Sequence, residues 1–451
     1  MKKDTIDVIF LGSSHAAAAF NPQYLYNAYE ISSYNLGCEQ QNLLVSYYWL
    51  KEALRFQSPK VVILDIYMLF AYKPDEPLNS AESCIRKALD YMKWSPVKVD
   101  AIKDICQIDE KQSLISYYLP NIRFHNRWTK LSEDDFTNDL GSHYELKGFS
   151  PLMTRSIDIV ADRVKAYRPL DLNLSNEAGN TVDIMEDYLN RIIDLCNSRE
   201  IKLILVKTPT SDANLARYNA ARKIAEENNL AYYDFNEKSL YNAIRFNFSV
   251  DAADAGHTSI SGAIKVTDFL GNLLIKECDD IKKKKDVQWE ETKDFYECLL
   301  KEYEIIYTTD IYTYLDLIND ERYSIFISAK ENALTPLNEQ IVILMRKLGL
   351  TVNFEDNKCT SYLAIINNGA VYEDVGYEKL EYSGTIRNGI TKFTLISSGS
   401  QRENISSIIL DEKDYSKNKR GLNIVVYDNV LKKIVDSVNF DTFTSDFIAI
   451  R

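Results

Sequence analysis

The sequence predicts an α/β chain: a parallel sheet covered by helices and carrying a helical insertion, then a smaller β-rich α+β domain. Three observations predict it. Short β-branched apolar runs alternate with amphipathic helix-length stretches over residues 1 to about 280. A charge-dense stretch, DDIKKKKDVQWEET, follows. Beyond it the chain changes to closely spaced strand-like runs. Alternation of strand and helix implies a parallel sheet buried on both faces, with ligands at the carboxyl ends of its strands.

The first run, Asp7 to Leu11, breaks at Gly12 before the small residues Ala16 to Ala19, which reads as a buried strand turning into a helix. A helix-like stretch, Leu43 to Leu54, leads to a second run, Pro59 to Ile66. Between Phe70 and Leu172 the pattern is irregular and rich in Tyr, Trp and charge, with helical periodicity in Ser80 to Met92 and Thr154 to Tyr167. This segment, 71–172, is read as an insertion beside the sheet that roofs a pocket. The amphipathic stretch Ile184 to Cys196 precedes a third run, Ile201 to Val206; a helix-like segment at Asn214 to Asn228 and a short run, Leu230 to Phe235, follow. Residues 1–282 therefore form one domain, 283–300 a charged linker, and 301–451 the second domain. In the latter, YSIFISA, SYLAIIN, KFTLISS, SSIILD and LNIVVYD read as strands around one helix, Asn338 to Leu348.

Composition narrows the function. The 53 basic and 66 acidic side chains give a net charge of −13, which disfavours a general nucleic-acid-binding role because phosphates are repelled. The seven cysteines are scattered, odd in number and without a C-x-x-C pair, so neither a disulfide framework nor a zinc site is expected. With four histidines there is no His-rich metal cluster, and no cofactor is implied. The apolar run near the N-terminus is too short for a signal-peptide core or a membrane span, so the chain as written reads as cytoplasmic, without an integral membrane segment.

Two segments can supply nucleophilic chemistry. A serine attacks when a histidine takes its proton, a carboxylate orients that histidine, and N–H groups hold the oxyanion. Gly12-Ser13-Ser14-His15 ends the first strand, where a helix N-terminus leaves amides unpaired; Asp254-Ala255-Gly256-His257 closes the same domain. Taken alone, a serine in such a turn reads as a helix cap, and Asp254 as a cap for the helix starting near Ser259.

FLGSSHA after the first strand, NLGCEQQN, and DAGH followed by TSISGAIK together resemble the SGNH/GDSL hydrolase superfamily over residues 1 to about 280. The resemblance implies a flavodoxin-like parallel sheet, with Ser14 as nucleophile, Asp254 as orienting acid and His257 as general base. It also implies that Gly37 contributes an oxyanion N–H. Ser13 stands where the family has the aspartate of G-D-S. The family's G-x-N-D motif after the third strand is replaced by LDIYMLF, so its asparagine donor is unmatched; Gln41, or a group near Tyr67, is left to substitute. His15 adjoins the nucleophile and is a poor base for it, so packing or pocket lining is expected. His125, with Arg127 and Trp128 in FHNRW, reads as a substrate contact from the insertion or as a structural group; His143 reads as a surface residue.

The second domain resembles the ILEI/PANDER-like domain over about residues 320 to 445. Arg420-Gly421-Leu422-Asn423, Val435-Asp436-Ser437 and Phe440-Asp441-Thr442 carry the likeness, with ISAKENALTPLNEQIVILMRKLG upstream. This implies a binding module, with glycan as its leading ligand; Arg420 and Asp441 either contact ligand or pair within the fold. The resulting expectation is a serine esterase acting on an acylated carbohydrate or polysaccharide. A polysaccharide O-acyltransferase using the same acyl-enzyme, and a non-catalytic glycan-binding protein, are the alternatives.

Overall fold

The computed structural model describes residues 3–71, 73, 75–131, 146–278, 281, 287–353, 361–444 and 446–451. The chain forms two compact units, Met1–Tyr296 and Glu297–Arg451.

In the first unit, strands β1 (Val8–Leu11), β2 (Ser33–Asn35), β3 (Val61–Asp65), β4 (Lys202–Lys207) and β5 (Ala231–Asp234) make one parallel sheet in the order β2-β1-β3-β4-β5. Alternate side chains leave opposite faces of each strand. Ile9, Leu11, Val62, Leu64, Leu203 and Leu205 pack under the helices Leu43–Ala53, Asp183–Asn197 and Leu215–Glu227. Val8, Phe10, Val61, Ile63, Ile204 and Val206 pack under Ser14–Ala19, Pro22–Tyr29 and Ile260–Glu277. Burial on both faces explains why these strands read as unbroken apolar runs.

Two expectations change. Ile85, Leu89, Ala101, Ile102 and Ile105, from the insertion helices Glu82–Asp90 and Pro96–Ile108, enter the core on one sheet face instead of forming a roof. Their apolar positions recur at helical spacing, so they cover the sheet. The stretch read as a linker is helical from Val287 to Tyr307, because Trp289, Tyr296, Leu299 and Tyr303 recur at the same spacing and are buried.

The second unit is built on one ten-stranded sheet, β6 (Tyr323–Lys330), β7 (Ser361–Asn367), β8 (Ala370–Gly376), β9 (Leu380–Ile386), β10 (Thr391–Ser398), β11 (Ile405–Leu410), β12 (Lys413–Asp414), β13 (Gly421–Asp428), β14 (Lys433–Phe440) and β15 (Ala449–Ile450). One face packs on the helices Ile311–Leu317 and Glu339–Lys347. The other closes on itself around Phe326, Leu363, Phe393, Leu395, Ile408 and Val425. The β7–β8 hairpin turns on Asn368-Gly369, both at positive φ, the pairing a two-residue hairpin loop requires. Arg420 and Asp441 form an ion pair with Nη2 to Oδ2 at 2.7 Å, and no disulfide joins the six described cysteines to one another.

Candidate active site

Strand β1 leads to Ser14 through a turn that tolerates only glycine. Gly12 has φ +141°, and a Cβ there would lie 2.9 Å from the Cβ atoms of both Ala16 and Asp65. The cap of the following helix is Ser13, whose Oγ accepts from His15 N at 3.4 Å, so Ser14 is not the cap. Ser14 stands at the helix's first position, partly exposed, with an amide that has no intrahelical acceptor. The buried Asn35 at the end of β2 fixes this helix: its Nδ2 donates to the carbonyls of Ala16 and Phe20, each at 2.8 Å.

The second segment is a tight loop docked on the same helix. Ala253 N donates to His257 O, Ser259 N to Asp251 O, and Thr258 Oγ1 to Ala18 O at 2.9 Å. Ser259 caps the helix Ile260–Glu277, which leaves Asp254 free of that duty. The insertion's return stretch braces the loop, Thr154 Oγ1 donating to Ala253 O and Ser156 N to Ala252 O.

These elements bring together Ser14, His257 and Asp254, which lie far apart in the chain. His257 Nε2 is 2.8 Å from Ser14 Oγ, and His257 Nδ1 is 2.9 Å from Asp254 Oδ2. Asp254 Oδ1 also accepts the amides of Gly256 at 2.7 Å and His257 at 2.9 Å. Burial alone raises this carboxyl's pKa, but bonds from the His257 ring and the two amides outweigh it and bring it down to about 2. An ionised Asp254 holds the proton on Nδ1, so Nε2 presents its lone pair to Ser14.

The expected oxyanion donors are not available as the sequence suggested. Gly37 N–H donates to Asn35 Oδ1 at 2.9 Å, because that carboxamide lies two residues upstream and competes for it. Glycine is needed at 37 for close approach: a Cβ would lie 2.9 Å from Ala17 N and 3.0 Å from Ser13 O. Gln41 is buried and directs its Nε2 to Ser46 Oγ at 3.1 Å, inside the Leu43–Ala53 helix. The substrate-contact residues His125, Arg127 and Trp128 fall in a short 3-10 helix, His125–Lys130. Arg127 is exposed, whereas the side chains of His125 and Trp128, and all of His143, lie outside the described residues.

Beside His257 lies a polar cluster in which His15 and Tyr67 join Asp65, Lys207 and Thr208, three residues that the sequence did not single out. His15 is buried and stacks on Tyr67, ring centroids 3.7 Å apart, with the His257 ring 4.8 Å away. Thr208 donates its N–H and Oγ1 to Asp65 Oδ2, each at 3.0 Å, so its oxygen is left to accept from His15 Nδ1 at 3.4 Å. Burial, then the nearby Lys207 and His257, hold His15 well below the ordinary histidine range, so it is neutral. The available signal was charge at strand ends: VVILD and KLILVK, two runs buried in the sheet, finish on Asp65 and Lys207. Among the described residues no group of three or more His, Cys, Asp and Glu can hold a metal ion, and no helix is long and apolar enough to cross a membrane.

No protein-family model matches the chain, and no curated protein matches it. Among solved structures, one that aligns is the crystal structure of a "putative acylhydrolase" from Bacteroides fragilis, 12% identical. The alignment covers 61% of this chain and 90% of that one, with a TM-score of 0.28. A likeness of that size has no bearing on the site.

Proposed function

We propose that the first unit is an SGNH-type serine esterase acting on an acylated carbohydrate through Ser14, His257 and Asp254. The observation that carries this reading is the unbroken relay from Asp254 through His257 to Ser14 Oγ, at 2.9 and 2.8 Å. The flavodoxin-like strand order, with the nucleophile at the carboxyl end of β1 beside the switch between β1 and β3, supports it.

In this mechanism His257 Nε2 takes the Ser14 proton as Oγ attacks the ester carbonyl. Asp254 stabilises the imidazolium, and the Ser14 amide at the helix N-terminus faces the developing oxyanion. The imidazolium returns its proton to the departing sugar oxygen, leaving acyl-Ser14. Water then gives a proton to His257, attacks the acyl carbon and releases the acid, and Ser14 regains its proton. The side chains of His257 and Asp254 keep 28% and 39% of their surface exposed, which supports water over a sugar hydroxyl as acceptor and so hydrolysis over acyl transfer.

Carbohydrate as the substrate class rests on the ILEI/PANDER-like pattern of the second unit, read as a glycan-binding module. Within it Arg420 is held by Asp441 and lies 5.0 Å from the Phe443 ring centre, which supports a structural role for that pair. The test is fluorophosphonate labelling together with p-nitrophenyl acetate turnover, with and without sugar acceptors. Wild type is expected to label and to turn over without an acceptor, Ser14→Ala to do neither, and His257→Ala to lose about 10³-fold or more in kcat. Absence of Ser14-dependent labelling refutes the enzyme reading; turnover that requires an acceptor replaces esterase with transferase.

A further inference from the structure

Lys207 closes β4 and is buried, yet its Nζ has no hydrogen-bond partner among the described residues. Removing an ammonium from water without such partners is costly, and burial, with Arg217 adding to it, holds Lys207 below the ordinary lysine range. Two things oppose this. The carboxyl groups of Asp65, Asp212 and Asp234 act on it through space, and Nζ lies 4.4 Å from the centre of the Tyr67 ring, where the π electrons attract a cation. Tyr67 is held at its rim as well, its hydroxyl 3.4 Å from an Asp212 carboxyl oxygen that also pairs with Arg217. The same phenol ring carries His15 in a near-parallel stack, 19° between planes, and His15 is the group beside the His257 imidazole.

We propose that Lys207, Tyr67 and His15 are positioning residues, a stacked column that holds the His257 imidazole in register with Ser14. The proposal rests on the triad reading. His257 sits on a loop with 28% of its side chain exposed, and apart from Ser14 itself its ring is hydrogen-bonded by Asp254 at the Nδ1 edge. A ring anchored at that edge can swing about it, and Nε2 then leaves the line to Ser14 Oγ. The His15 ring opposes that swing, with Tyr67 stacked against it and the Lys207 ammonium pinning Tyr67. Thr208, itself bonded to Asp65, holds His15 at Nδ1. Because His15 is neutral, this support adds no positive charge next to His257 when it takes the serine proton.

The test compares wild type, Tyr67→Phe, Tyr67→Leu and Lys207→Met in the full chain. It reads the rate of fluorophosphonate labelling at Ser14, kcat and KM for p-nitrophenyl acetate, and melting temperature. Misplacing a reacting group costs far more in rate than in binding, so Tyr67→Leu and Lys207→Met are expected to lower kcat and labelling by about 10-fold or more with KM unchanged. Tyr67→Phe keeps the ring for both stack and cation, and is expected to stay within about 3-fold of wild type. Wild-type labelling rates in Tyr67→Leu overturn the column, as does a Tyr67→Phe as slow as Tyr67→Leu, which would assign the effect to the hydroxyl. If Lys207→Met does not fold, the two Tyr67 variants still decide. A wild type that never labels overturns the triad reading instead, so the two failures are told apart.

Discussion

At Asp254 one carboxylate holds both the His257 ring, through Oδ2, and the amides of its own loop, through Oδ1. Its folded pKa of about 2 lies below the ordinary 3.8. The interaction therefore stabilises the fold fully above the ordinary value and is lost as pH falls through the lowered one. Melting temperatures of wild type and Asp254→Asn are expected to differ most at neutral pH and to converge between about pH 4 and 2; a gap that is constant over that range contradicts the assignment. At this scale the sequence singled out Ser14, Asp254 and His257 from short motifs, and the fold brings the three within hydrogen-bond reach. The Gly37 amide was misjudged because the competitor for its proton, Asn35 Oδ1, is a conformational fact that spacing does not encode.

Among the elements, the short helix carrying Ser14 depends on its neighbours, since an isolated helix of that length has little stability of its own. Asn35 supplies two donors to its carbonyls and an acceptor for Gly37. Asn35→Ala leaves those buried groups unpaired and is expected to cost about 1–3 kcal/mol for a lost partner, and to slow labelling at Ser14 in step. Urea unfolding and labelling rates check both; an unchanged midpoint rejects the bracing role. Legibility followed burial here. The runs of β1, β3 and β4 were plain because both sheet faces are covered, whereas β2 is too short to show a period. Strands β8 and β9 were missed because their faces are largely open and their side chains mixed.

For the molecule as a whole, a net charge of −13 sets a repulsive field for anionic substrates. Neutral esters are expected to show higher kcat/KM than carboxylate-bearing esters of the same acyl group, and the gap to narrow as salt rises from about 0.01 to 0.15 M. A gap that ignores salt would place the discrimination in local contacts instead. The sequence by itself determined the division into an α/β part and a β-rich part, the strand runs of the parallel sheet, and the short motifs that hold Ser14, Asp254 and His257. These follow from periodicity and from residue types at fixed spacing. Only the tertiary structure decided that 82–108 covers a sheet face, that Gly37 is engaged, and that Lys207, Tyr67 and His15 gather beside His257. Those outcomes depend on which buried polar group finds which partner across the carboxyl edges of separate strands, and such pairings exist only once the sheet has brought the strand ends together.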